Sequence, residues 1–230
     1  MIFFHDIQTS FLYNFFVSEK AGKVAGSETL AISAKAKELQ KQGISVINLS
    51  VGEPDFDTPE YIKDAAIRAI RDGKTKYTDA SGIIELREVI SEKLKRENNL
   101  GYSPSQIIVS SGAKHSITNC LFALCNEVDE VLIPSPCWVS YPEIVKLASG
   151  IPKIIKTERN GGFKLSGDML SSAVSKKTKG LILNSPSNPT GCVYREDELK
   201  SLAEIIEKNG LWVMSDEVYE KFGNYSAFSH

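Results

Sequence analysis

Along this chain the hydrophobic pattern alternates between two rhythms, one with apolar residues three and four positions apart and one of short continuous apolar runs. The helical rhythm begins over Glu28–Gln42 and stops at Gly43. Thr58-Pro59 offers an N-cap and a first-turn proline for a helix bearing Ile62, Ala66, Ala69 and Ile70, with Gly73 past its end. Further helices are predicted over Ile83–Glu97, from Ala113 to Cys125, and over Glu196–Asn209, where Gly210 closes the segment. Strands are predicted at Gln106–Ser110, Glu130–Ile133, Ile151–Lys156, Gly180–Leu183 and Leu211–Ser215. The last is a continuous apolar run suited to a strand covered on both faces. Strands that alternate with amphipathic helices predict an α/β fold with a mainly parallel sheet.

The most apolar stretch, MIFFHDIQTSFLYNFF at residues 1–16, places Phe3, Ile7, Phe11 and Phe15 at helical spacing. It also holds His5, Asp6, Gln8 and Asn14 and has no basic start, so it fits neither a spanning helix nor a secretory signal. The expectation is an arm, residues 1–26, that packs on the body or on a partner subunit; a mis-assigned start is the alternative.

With 230 residues, 42% of them hydrophobic, the chain can build a substantial core. Lys+Arg 27 against Asp+Glu 29 leaves a formal charge of -2, and no long basic run offers a surface for a phosphate backbone. Nucleic acid and membrane are therefore not expected as partners, and a small molecule is. Cys120, Cys125, Cys137 and Cys192 have neither C-x-x-C spacing nor neighbouring histidines, so reduced, mostly buried thiols in the cytoplasm are expected rather than a metal site.

Three polar clusters fall at the carboxyl ends of predicted strands, where ligands gather in open α/β sheets. SSGAKHS, residues 110–116, leads from a strand into a helix start, whose free amides and dipole suit an anion; an ordinary β-to-α turn is the competing reading. NSPSNPTG, residues 184–191, carries two prolines in eight residues, which exclude helix and interrupt a ladder. SDEVYE, residues 215–220, brings Asp216 out of an apolar run, where a carboxylate loses hydration and needs a donor; a helix N-cap is the alternative. By alternation Asp216 and Glu217 face opposite ways, and a helical turn would put Tyr219 on the face of Asp216. Trp138, in PCWVSY, is either core or a flat platform for an aromatic ligand.

LSVGEPDFDTPE, KYTDASG, SSGAKH, PCWVSYPE, NSPSNPTG and SDEVYE, in this order, resemble the class I/II aminotransferases of pyridoxal-phosphate fold type I, in particular the aspartate-aminotransferase-like group. The resemblance runs from about Ser27 to Tyr219. It implies a three-layer α/β/α large domain with a mainly parallel sheet. It also implies transamination between an amino acid and a 2-oxo acid, with pyridoxal 5'-phosphate as cofactor. By the same resemblance Asn188 and Tyr219 bond the cofactor's phenolic oxygen, with Pro186 and Pro189 holding the Asn188 amide. Asp216 bonds the ring nitrogen and keeps it protonated, and Trp138 stacks on the ring. Gly112, Ala113 and Lys114 hold the phosphate, and Tyr77 reaches the phosphate of a neighbouring subunit, which implies a homodimer. Gly52 meets the substrate α-carboxylate through its backbone, and Trp138 and Asn188 also border the substrate.

The chain departs from the family pattern in one large respect. The Schiff-base lysine and the carboxylate-binding arginine, which the resemblance places beyond SDEVYE, have no counterpart: Lys221 follows Tyr219 too closely and Lys114 belongs to the phosphate turn. No catalytic lysine is therefore assigned. The expectation is a C-terminally incomplete chain, organised as the arm 1–26, an N-terminal helical segment 27–48 and a partial cofactor-binding domain 49–230 that lacks the small C-terminal domain. Two missing strands would leave open edges near Ile107 and along the Leu211 strand. A non-catalytic remnant that binds cofactor weakly, or an interaction module, is the competing reading. Asn126-Glu127-Val128-Asp129 stands where relatives usually carry a Pro-Gly turn, so a looser connection is expected there.

Overall fold

The computed structural model describes residues 18–26, 28–49, 52 and 56–222. The amphipathic pattern of residues 1–16 lies outside them. The described residues group into two compact units, one of residues 18–25 and 111–222, the other of those between 26 and 110.

Four parallel strands form the centre of the first unit: β1 (Glu130–Ser135), β2 (Ile151–Lys156), β3 (Thr178–Asn184) and β4 (Trp212–Asp216). Their order is β2-β1-β3-β4. Parallel neighbours need a crossover, and the connecting helices are laid on both faces of the sheet. Helices α1 (Glu19–Gly22), α5 (Ala113–Leu124), α6 (Ser140–Leu147), α7 (Gly167–Ala173) and α8 (Glu196–Asn209) belong to this unit. The second unit holds α2 (Glu28–Lys41), α3 (Glu60–Arg71) and α4 (Ile84–Asn98).

Alternation along the strands divides the core in two. Val131, Ile133 and Ile182 pack with Ile117 and Leu121 of α5 and with Tyr141, Ile144 and Val145 of α6. Leu132, Leu181 and Leu183 point the other way, onto Leu170 of α7 and Leu202 of α8. Helix, sheet and helix thus make the three-layer α/β/α arrangement. Between strands, Gly180 sits opposite Trp212, and a Cβ added to it would lie 2.1 Å from the indole. The glycine is the space into which that indole fits.

Several expectations are corrected. Gln106–Ser110 forms no ladder among the described residues; Pro104–Gln106 is a short 3-10 turn, and the amide of Val109 donates to Ser81 O at 2.9 Å. Apolar composition predisposes a segment to strand, but only a paired neighbour makes it one. Thr58 does not cap α3, whose N-cap position is Pro59 with no side-chain bond; the amide of Thr58 instead donates to Asp57 Oδ1 at 2.9 Å. β4 pairs on one side only among the described residues, and Val213 is 40% exposed, so the run is not covered on both faces. The Asn126–Asp129 turn is not loose: Asp129 Oδ2 accepts from the amide and the side chain of Asn126, at 2.9 and 3.2 Å.

Tyr194 ties the α8 face together, because its buried hydroxyl accepts the Leu165 N–H at 2.8 Å. Tyr194→Phe leaves that amide without its partner, and a loss of about 1–3 kcal/mol is expected in chemical unfolding. Burial pushes the Tyr194 phenol from its ordinary 10.0 up to about 12. The protonated form is thus favoured by the fold, so this contribution is intact below pH 10.0 and is lost as pH rises toward about 12. Alkaline unfolding midpoints of wild type and Tyr194→Phe should converge across that window. Gly180→Val, which drives a side chain into Trp212, should cost about 1–3 kcal/mol in the same assay.

Candidate functional site

The carboxyl ends of β3 and β4 lie side by side, with Asn184 in register with Asp216. At that point the ladder passes from backbone to side chain. Asp216 O accepts from Ser185 N–H at 3.2 Å and from Asn184 Nδ2 at 2.8 Å. Asn184 Oδ1 in turn accepts the Asn188 N–H at 2.7 Å. The loop NSPSNPTG then closes on itself through Ser187 N–H to Cys192 O at 3.0 Å and Gly191 N–H to Ser187 O at 2.7 Å. Gly191 takes a φ of +69°, which a residue with a Cβ adopts only at a cost. The Ser185-Pro186 and Asn188-Pro189 peptide bonds are cis. Held this way, Asn188 directs its side-chain amide to the Tyr219 hydroxyl at 3.4 Å.

Asp216 leaves β4 toward the α6 face. Tyr141 OH donates to its Oδ2 at 2.5 Å, and the Val218 N–H donates to Oδ1 at 3.2 Å. Glu217 turns the other way, accepting from Ser215 Oγ at 2.7 Å, as strand alternation requires. After Asp216 the chain makes hydrogen-bonded turns, Glu220 N–H to Glu217 O and Phe222 N–H to Tyr219 O, each at 2.9 Å. Tyr141 is 2% exposed, and burial, followed by its bond to Asp216, raises its phenol well above the ordinary 10.0.

Trp138 meets the Tyr141 ring edge-on, with centroids 5.3 Å apart at 88°. The Lys114 ammonium lies 4.9 Å from the Trp138 ring centroid, a cation–π contact. Lys114 belongs to the first turn of α5, whose N-cap Gly112 has φ 83° and ψ 165°. No atom lies within 4 Å of where a Gly112 Cβ would stand, so the glycine is required by its φ rather than by crowding. His115 N–H makes the first helical bond to Gly112 O at 3.1 Å, which leaves the amides of Ala113 and Lys114 ahead of it. His115 Nδ1 accepts the Ser111 N–H at 3.2 Å. A capping role thus accounts for that histidine.

Between the start of α5 and the end of β4 lies a mainly apolar hollow of about 330 Å³, bordered by Ala113, Ser116, Ile117, Met214, Asp216 and Val218. That volume is of the order of a small-molecule site. A second, narrow hollow is bordered by Pro136, Tyr141, Asn184 and Asn188. Gly112, Ala113, Lys114, Trp138, Asn188, Asp216 and Tyr219 are therefore gathered at one end of one sheet. Gly52 and Tyr77 belong to the other unit, where Tyr77 is fully exposed. Tyr141 and Asn184 join the cluster although residue type alone gives neither a role. Their partners lie 75 and 32 positions away along the chain.

The sequence matches the family Aminotransferase class I and II over residues 44–229. A probable aspartate/prephenate aminotransferase of Aquifex aeolicus is 48% identical over 206 residues, covering 90% of this chain and 52% of that protein. An aspartate aminotransferase of Bacillus sp. strain YM-2 is 51% identical over 195 residues, with coverage of 85% and 50%. Among solved structures, aspartate aminotransferase of Thermus thermophilus with maleate superposes with a TM-score of 0.86 at 43% identity, covering 89% of this chain and 53% of that one. The Thermotoga maritima aspartate aminotransferase gives 0.88 at 39% identity, with coverage of 93% and 57%. The chain thus spans about half the length of the curated relatives it matches. A four-stranded parallel sheet with this polar cluster at its carboxyl end, together with a match over most of the sequence, places the chain in the class I and II aminotransferase family.

Proposed function

We propose that this chain supplies the cofactor-gripping part of an aminotransferase that moves an amino group between an amino acid and a 2-oxo acid, with pyridoxal 5'-phosphate as cofactor. The observation that carries the reading is the grouping of an anchored carboxylate, Asp216, a paired amide and phenol, Asn188 and Tyr219, and an open helix start at Gly112 on one sheet end. These residue types fit the cofactor, a flat heteroaromatic ring with a basic nitrogen, a phenolic oxygen and a phosphate. When bound, pyridoxal phosphate supplies an electron sink for the charge left as the substrate Cα loses its proton.

Each side chain then has a physical task. Asp216 bonds the ring nitrogen and favours its protonated form through a charge-assisted hydrogen bond. Asn188 and Tyr219 hold the phenolic oxygen between two neutral groups. Gly112 and Ala113 offer backbone amides to the phosphate and Lys114 adds positive charge, aided by the α5 dipole. Trp138 fixes the plane of the ring by stacking and, with Asn188, borders the substrate. Gly52 meets the substrate carboxylate through its backbone, and Tyr77 serves the phosphate of a second copy, so the assembly is a homodimer. The cytoplasm is the compartment proposed; Cys120 is exposed and Cys125, Cys137 and Cys192 are only partly buried, which corrects the expectation of mostly buried thiols. Aspartate is the first donor to test, because relatives carry it in their names.

Titration of the chain with pyridoxamine phosphate, followed by isothermal calorimetry, tests the reading without requiring turnover. Saturable binding is expected, with Asn188→Ala and Asp216→Ala each weakening it about tenfold or more. Pyridoxamine without phosphate should bind far more weakly. Equal affinity for the two forms would refute the assignment of the α5 turn, and no binding would refute the cofactor itself.

A further inference from the structure

Tyr141 has no assigned task in the proposed chemistry, yet it is the most deeply buried titratable group at the site and its hydroxyl bonds to nothing but the Asp216 carboxylate among the described contacts. We propose that Tyr141 is a positioning residue, whose hydroxyl fixes the rotamer of Asp216 so that the carboxylate's remaining lone pairs face the ring nitrogen of the cofactor. The inference rests on the cofactor reading above.

Three observations carry it. First, the two Asp216 oxygens are held separately, Oδ2 by Tyr141 at 2.5 Å and Oδ1 by the Val218 amide at 3.2 Å. A carboxylate has about four acceptor sites, so each oxygen keeps capacity for a further donor. Second, Tyr141 cannot swing away. The residue is 2% exposed, it lies in the core with Ile144 and Val145, and its ring makes a T-shaped contact with Trp138, centroids 5.3 Å apart. Third, the donor is neutral. Burial and the bond to Asp216 hold its proton in place. A lysine or arginine there would cancel the negative charge that a protonated ring nitrogen needs. A phenol orients the carboxylate and leaves that charge available.

The geometry also links the two faces of the proposed ligand site. Trp138, which would stack on the ring, and Asp216, which would bond its edge, both rest on the same tyrosine. One rigid side chain therefore sets the angle between the stacking plane and the hydrogen-bonding direction. Preorganisation of this kind acts through restricted rotamers rather than through contact with the ligand.

The test uses Tyr141→Phe, which keeps the ring and deletes only the hydroxyl. Calorimetry would compare two probes: pyridoxamine phosphate, and its 1-deaza analogue, in which carbon replaces the ring nitrogen. Tyr141→Phe is expected to weaken pyridoxamine phosphate about tenfold and the 1-deaza analogue by less than about twofold. In an Asp216→Asn background the same substitution should have no further effect on pyridoxamine phosphate. Equal weakening of both probes would mean that Tyr141 serves packing alone, and the proposal would fall. Unchanged affinity for both would also overturn it while leaving the cofactor reading intact. If wild type binds neither probe, the cofactor reading fails and the proposal fails with it.

Discussion

The parallel register between β3 and β4 is the constraint on which the site depends, because it sets Asn184 beside Asp216 at the last rung of the ladder. Beyond that rung Pro186 has no N–H to donate, so pairing cannot continue by backbone alone. The Asn184 side chain takes over, its amide nitrogen on Asp216 O and its oxygen on the Asn188 amide. Two loops that would otherwise leave the sheet independently are thereby tied to each other. A slip of one residue in the register would turn Asp216 to the opposite face and separate it from Tyr141.

The same sheet explains why the polar groups sit at one end. The central strands β1 and β3 are covered on both faces, by α5 and α6 on one side and by α7 and α8 on the other, so few polar groups survive in the middle of those strands. At the carboxyl end the helices begin or turn away, and the strand tips meet the open start of α5. Backbone amides there lack partners by the geometry of helices. An end of this kind concentrates hydrogen-bonding capacity that the rest of the domain has already spent on itself.

Much of this was legible in the chain. Ile151–Lys156 and Glu196–Asn209 occur where the pattern places them, since each has a strong period and defined punctuation. The glycine at 210, with φ 61°, ends its helix in the left-handed conformation that few other residues adopt readily. Gln106–Ser110 has the same apolar character as the observed strands and yet forms no ladder among the described residues, because pairing is supplied by a neighbour and not by composition. Thr58 is a favourable capping residue by type, but Pro59 occupies the cap position and the helix starts one residue later. The short helix Ser140–Leu147 is not among the predicted elements, nor is the placement of Tyr141. Its importance arises from a carboxylate 75 residues away, which no local period encodes.

Charge placement narrows the kind of ligand such an end can favour. Lys114 and the α5 start bring positive potential to one border of the site, while Asp216 brings a negative charge to another. A ligand that is only anionic gains at the first and is repelled at the second; a ligand that is only cationic meets the reverse. One that carries an anionic group and a protonated nitrogen on a rigid flat frame gains at both, provided the frame spans the two. Neutral donors, Asn188 and the Tyr219 hydroxyl, lie between these extremes in chemical character and suit an oxygen that carries partial charge. Selectivity then follows from where opposite charges are fixed more than from the amount of surface buried. Fixing them requires side chains that do not relax toward each other. Burial of Tyr141 against Asp216 and contact of Lys114 with the Trp138 ring are two restraints of that kind.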